Sequence, residues 1–328
     1  MRTILPDLRR AGIALGGVLL LWQMLIGLQT LFDRAPIIFS LVYLFAAFGL
    51  VFLSYALQIV SWGVLMRGLQ LSIPWKALFR GYILSFLPRY IPGSVWGYLS
   101  RSEWLRSEFQ VGYAVSTSGS LLEITVALIS AGWIAGIYAA SLLDEPCGII
   151  LGLVLVPGVI WILVQRMLRV RWISHLVYRD SHCVTQAKLP LFNWLLSVAI
   201  IVCNIVIYGT ALYLTARGLA LDSPLSSSNI FTFVANYSIA WLIGFVAFFL
   251  PAGLGLREVT LSTLLALSLG LSGGKASLLA VLFRVIVTLA EILWVVISLV
   301  LRQRDKQRYI PNTLSDGIAL GSKAKHPE

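Results

Sequence analysis

FLPRYIPGSVWGYLSR, residues 86–101, decides how this chain folds. It lies between long apolar runs, yet holds two prolines, two glycines and two arginines. A second stretch, FFLPAGLGLRE at residues 248–258, repeats its opening: an apolar run, Phe-Leu-Pro, then glycine and arginine. Proline lacks a backbone donor and breaks helices; glycine supplies the dihedrals that a chain reversal needs. In hydrocarbon, such broken backbone survives only inside protein or beside a water-filled cavity. Both stretches therefore read as tips of re-entrant helical hairpins, turned at Pro88, Pro92 and Gly93 in the first and at Pro251, Gly253 and Gly255 in the second.

The flanks fit that reading. The chain is 59% hydrophobic and 12% charged, with mean hydropathy +0.88. That is about half the charged fraction of a soluble domain. Several uncharged runs exceed the roughly 20 residues needed to span a bilayer. The expected fold is an all-α polytopic membrane protein. A net charge of +11 would suggest nucleic acid in a soluble protein. Here the charge sits in short loops and tails, where it orients the protein in the membrane and draws it to anionic headgroups. No nucleic-acid partner is expected.

Six spans are expected, at residues 11–32, 37–66, 111–140, 147–165, 191–216 and 275–301. Arg2, Arg9 and Arg10, then Arg67, Lys76 and Arg80, then the basic loop 166–188 and finally Arg302 to Arg308 mark the cytoplasmic side. Both termini are thus expected inside, in a cytoplasmic (inner) membrane. The first hairpin then enters from the cytoplasm and the second from outside, an inverted-topology repeat of the kind that places transporter sites near mid-membrane. Residues 1–301 form the expected transmembrane domain, and 302–328 a basic, disordered cytoplasmic tail. A second hairpin deep enough to make two full spans is the alternative left open.

Charge inside this apolar frame carries the chemistry. Arg89, Glu123, Arg257, Glu258, Arg284 and Glu291 fall where the helices are densest. Each costs about 3 kcal/mol at a helix centre unless paired or hydrated. Arg89, Arg101 and Arg257 stand at or near the hairpin tips and offer forked donors to a lipid phosphate. Glu123, Glu258 and Glu291 are the buried acids, fit to pair with these arginines or to carry protons; Arg284 is the buried base. Plainer roles fit as well. Arg257 and Glu258 suit a structural cap, Glu123 a structural hydrogen bond, and Arg101 with Glu103 a solvated interfacial face. Arg284 and Glu291 lie two turns apart on one helix, too far for contact, so each needs a partner elsewhere. His175, His182 and Cys183 show no metal-ligand spacing. No glycine run carries a phosphate-loop Lys-Ser/Thr. Neither metal nor cofactor is expected.

YIPGSVWGYLSR (residues 90–101), PAGLGLRE (residues 251–258) and Arg284 together resemble the transmembrane flippase domain of the lysylphosphatidylglycerol synthase/flippase family. The resemblance runs from the first span to about residue 301. Full-length synthases of that family carry a soluble aminoacyltransferase domain, for which this sequence leaves no room. The resemblance thus implies translocation of an anionic phospholipid or a polyprenyl-phosphate-linked saccharide rather than lysine transfer. Implied partners are membrane lipids, a lipid-linked sugar with its glycosyltransferase, and a second copy of the chain. The rival readings are an integral-membrane transferase using a lipid-phosphate donor, and an accessory subunit without a substrate. The loops are basic and carry no DxD or His-acid cluster, which disfavours the enzyme.

Overall fold

A computed structural model describes residues 18, 21–27, 29, 39–90, 96–142, 189–219, 226–247, 250 and 253–308, with backbone alone at 113–114 and 302–308. Among these, the chain forms helices α1 (Leu41–Gly68), α2 (Trp75–Leu84), α3 (Trp96–Phe109), α4 (Tyr113–Leu142), α5 (Leu191–Gly218), α6 (Ile230–Val246), α7 (Leu256–Leu269) and α8 (Gly273–Arg308). Short 3-10 turns occur at Pro88–Tyr90 and Ser227–Asn229. No strand occurs among the described residues. The protein is an all-α, multi-pass membrane protein. Five described segments are long and apolar enough to cross a membrane: Leu41–Gly68, Val115–Leu142, Leu191–Gly218, Ser227–Val246 and Gly273–Leu301. Large apolar side chains such as Val42 (77% exposed) and Phe192 (73% exposed) point outward, as lipid-facing residues do.

α1 and α5 form the most extensive described helix pair. Each has 28 residues, about 42 Å of helix, so both have length to tilt across a core of about 30 Å. They run antiparallel, as the charge pattern requires. The Ser40 N–H donates to Gly218 O at 2.8 Å, Asn204 Nδ2 to Ser54 O at 2.6 Å, and Asn193 Nδ2 to Val64 O at 3.1 Å. The Ser61 and Ser197 hydroxyls meet at 2.7 Å. Lipid tails are as apolar as leucine, so helices here are held by close packing and by such polar contacts. At Gly209 a Cβ would lie 2.4 Å from Val234 Cα, so α5 and α6 touch backbone to backbone.

The two broken stretches form helical hairpins. α2 and α3 lie side by side in opposite directions: a Cβ at Gly81 would meet the Trp104 ring at 2.5 Å, and one at Gly97 would meet Ser85 O at 2.9 Å. With 10 and 14 residues, they reach about 15 and 21 Å, short of a full crossing. α6 and α7 likewise turn back on each other. Asn236 Nδ2 donates to Ser268 Oγ at 2.7 Å, and Gly244 packs beside Arg257. The base of the first hairpin is at the Gly68 end of α1, with Trp75 against Gly63. The base of the second is at the Gly218 end of α5, with Phe233 against Tyr213 and Phe231 against Tyr138. The described arms of the two hairpins therefore start from opposite ends of the α1–α5 pair, and residues of both line one cavity.

Some bounds differ from the expectation. The first arm of the second hairpin, with its 3-10 lead, is 20 residues long and qualifies by length and composition as a span. α7 starts at Leu256, where Glu258 accepts the Gly255 N–H and caps the helix. α8 continues as helix to Arg308, past the expected boundary at 301. The expected span 147–165 and the basic loop 166–188, with His175, His182 and Cys183, lie outside the described residues. So do Pro92, Gly93, Pro251 and residues 309–328, and the first span is described only in part.

Candidate binding cavity

Residues of both hairpins and of four long helices enclose a cavity of about 190 Å³. α1 contributes Tyr55 and Gln58, and α5 contributes Asn204 and Tyr208. The first hairpin brings Tyr82, Arg89, Tyr90, Tyr98 and Arg101; the second brings Tyr237, Gly253 and Arg257. α4 supplies Glu123, and α8 supplies Arg284 and Glu291.

Three arginine–glutamate contacts tie hairpins to spans. On the first, Arg101 Nη1 donates to Glu123 Oε2 at 2.5 Å, while the Tyr82 hydroxyl donates to Glu123 Oε1 at 2.7 Å. The same guanidinium lies against the rings of Tyr82, Tyr98 and Trp62 at 4.3, 5.0 and 5.4 Å. On the second, Arg89 Nη1 donates to Glu291 Oε1 at 3.3 Å, and the Tyr55 hydroxyl donates to that oxygen at 2.7 Å. The Tyr90 hydroxyl donates to the other oxygen of Glu291. On the third, Arg284 Nε stands 3.5 Å from Glu258 Oε1, while Glu258 Oε2 accepts the Gly255 N–H at 2.7 Å.

Arg257 is different. It lies on the first turn of α7, its stem packed on Gly244 and its guanidinium 4.8 Å above the Tyr237 ring. Among the described residues no carboxylate pairs with it. The turn before it needs glycine. Gly253 and Gly255 have φ of +67° and +80°, and a Cβ on Gly253 would lie 2.8 Å from Gly244 O.

α4 lines the cavity with Ile124, Ala127 and Ala131 beside Glu123, and α8 with Val287 between Arg284 and Glu291.

Of the residues singled out from sequence, Arg89, Arg101, Glu123, Arg257, Arg284, Glu291 and Gly253 line the cavity. Glu258 stands behind Arg284, Gly255 opens α7, and Pro88 lies in the 3-10 turn. The solvated-face reading of Arg101 is corrected: its side chain is 2% exposed and turned away from Glu103, Arg106 and Glu108, which stay exposed. The physical reason is helical phase, since α3 buries its Arg101–Ser102–Leu105 side against α4. Sequence reasoning missed the tyrosines at 55, 82, 90, 98, 208 and 237, and the amides of Gln58 and Asn204. The signal was there in part: Tyr55 and Gln58 are three apart in an uncharged span, hence on one face. Among the described residues no group of three or more His, Cys, Asp or Glu is placed to hold a metal.

Fold and site together define a polytopic helical membrane protein with a charged interior cavity between two hairpin tips. A family model described as Lysylphosphatidylglycerol synthase TM region matches residues 10–294, and the chain belongs to that family. Neither curated proteins nor solved structures yield a match.

Proposed function

We propose that this protein moves a phosphate-bearing lipid from one leaflet to the other. The observation that carries the reading is Arg257: a guanidinium beside an interior cavity, with a tyrosine ring against it and no described carboxylate to neutralise it. Guanidinium is the side chain best matched to a phosphate, through paired N–H donors. An uncompensated charge at membrane depth is costly, and a ligand phosphate relieves that cost. The headgroup passes between the two tips, while its acyl or prenyl tails stay in lipid. The hairpins act as re-entrant elements of an inverted repeat, each opening the cavity to one side in turn.

The protein acts as a transporter rather than an enzyme, in the inner membrane with both termini in the cytoplasm. An anionic headgroup moving outward gains about 2.3 kcal/mol per charge per 100 mV of inside-negative potential, so no nucleotide site is needed. The substrates in view are an anionic phospholipid and a polyprenyl-phosphate-linked saccharide, the latter with a glycosyltransferase beside it. Pairing of two copies of the chain is part of the same proposal.

The test is translocation in proteoliposomes. Purified protein is reconstituted with acyl-labelled phosphatidylglycerol or a labelled polyprenyl-phosphate sugar, and a membrane-impermeant reductant reports which leaflet the label occupies. Movement by the natural sequence, lost in Arg257→Ala at equal folded amount, is the expected result. No movement of either lipid by folded protein rejects the proposal.

A further inference from the structure

The charges around the cavity go further than the lipid class. Four arginines face it: Arg89, Arg101, Arg257 and Arg284. Three carboxylates answer them: Glu123 and Glu291 in the lining, and Glu258 behind Arg284. Among the described residues one positive charge is left over. The acids are also fully engaged. Glu123 accepts from Arg101 and Tyr82, Glu291 from Arg89, Tyr55 and Tyr90, and Glu258 from the Gly255 N–H beside Arg284. Guanidinium groups already lie over three of the lining tyrosines, Tyr82, Tyr98 and Tyr237. Among the described residues, an ammonium entering this cavity would find no carboxylate that is not already paired with an arginine. A single phosphodiester would find the one positive charge in excess.

We infer that the cavity selects a lipid whose headgroup has a net charge of minus one and carries no ammonium, and that it discriminates against aminoacylated and other amine-bearing headgroups. The inference rests on the lipid-translocating reading and narrows it. Charge at an interface fixes which partner is refused as much as which is held, because an uncompensated like charge costs affinity. Here the refusing element is Arg257, which no carboxylate pairs among the described residues.

Binding tests this apart from transport. The full-length protein in detergent is titrated with short-chain phosphatidylglycerol, its lysyl derivative, short-chain phosphatidylethanolamine and soluble glycerol phosphate, and the thermal midpoint is followed. Phosphatidylglycerol is expected to bind about tenfold more tightly than either amine-bearing lipid. Arg257→Gln should remove that difference. Should Arg257→Gln not fold, Ala131→Glu, which adds a carboxylate to the cavity lining, should remove it as well. Equal or tighter binding of the lysyl lipid overturns the inference, as does failure of every lipid to shift the midpoint. If glycerol phosphate binds as tightly as the lipid, the site takes a soluble phosphate ester and the lipid assignment falls. Selective binding without translocation in vesicles would uphold the inference and reject the transport reading.

Discussion

Arg89 and Glu291 are 202 positions apart in sequence and 3.3 Å apart in space. This contact joins the tip of the first hairpin to α8. Its acid is shared with two tyrosine hydroxyls, from α1 and from the tip itself. One carboxylate thus gathers the first hairpin, α1 and α8, and removing it should loosen all three.

Glu291→Ala is expected to cost about 3–5 kcal/mol, because Arg89, Tyr55 and Tyr90 all lose their acceptor at once. Arg89→Ala should cost less, because the Tyr55 and Tyr90 hydroxyls still donate to Glu291. Thermal unfolding of the double variant should show the pair as coupled, with losses that do not add. Additive losses would mean that the two groups act independently.

Tyr82→Phe removes the hydroxyl that Glu123 accepts at 2.7 Å, a hydrogen bond to a charged group worth about 1.5–3 kcal/mol. Tyr208→Phe, with no carboxylate contact among the described residues, should cost less. Comparing the two thermal midpoints checks whether the carboxylate contact is what matters, and equal losses would count against it.

Gly253→Ala should destabilise the protein by about 1–3 kcal/mol, since φ is +67° and the added Cβ would lie 2.8 Å from Gly244 O. Gly132→Ala is the control. It sits in α4 with nothing within 4 Å of the added Cβ, and should be neutral or stabilising by about 0.5–1 kcal/mol. Thermal midpoints and the yield of monodisperse protein in detergent read both. A harmless Gly253→Ala would refute the tight turn.

Ala131→Glu adds a carboxylate to the cavity lining and should reduce anionic-lipid movement by about tenfold or more by removing the excess charge. Ala131→Gln, of similar size and without charge, should retain more activity. Equal loss in both would point to filled space rather than charge.

Much of this protein could be read from its residues. Uncharged runs gave the spans of α1 and α5, because hydrocarbon admits little else than a satisfied helix. Proline and glycine gave the hairpins at residues 86–101 and 248–258, because they are what a backbone needs to turn. The spacing of Arg284 and Glu291 on one helix showed that each needs a partner elsewhere, and each has one: Glu258 and Arg89. The identity of those partners was hidden. It depends on which tip reaches which span, a distance between elements that no local pattern encodes. The tyrosines were hidden too, since a tyrosine in a span reads equally well as an interface anchor. Arg101 was misleading: four charges within eight residues, from Arg101 to Glu108, suggested a wet surface, yet the helix turns one of them inward.

By itself, then, the sequence determined the solvent this chain folds in, where its backbone breaks and which charges must be satisfied; these follow from transfer energies and local dihedral preference. The tertiary structure alone decided the pairing. It brought four arginines and three acids from both halves of the chain together and left Arg257 without a carboxylate partner among the described residues. Net charge in a cavity belongs to the assembly of elements and not to any one of them, because Coulomb attraction depends on distances that only packing sets.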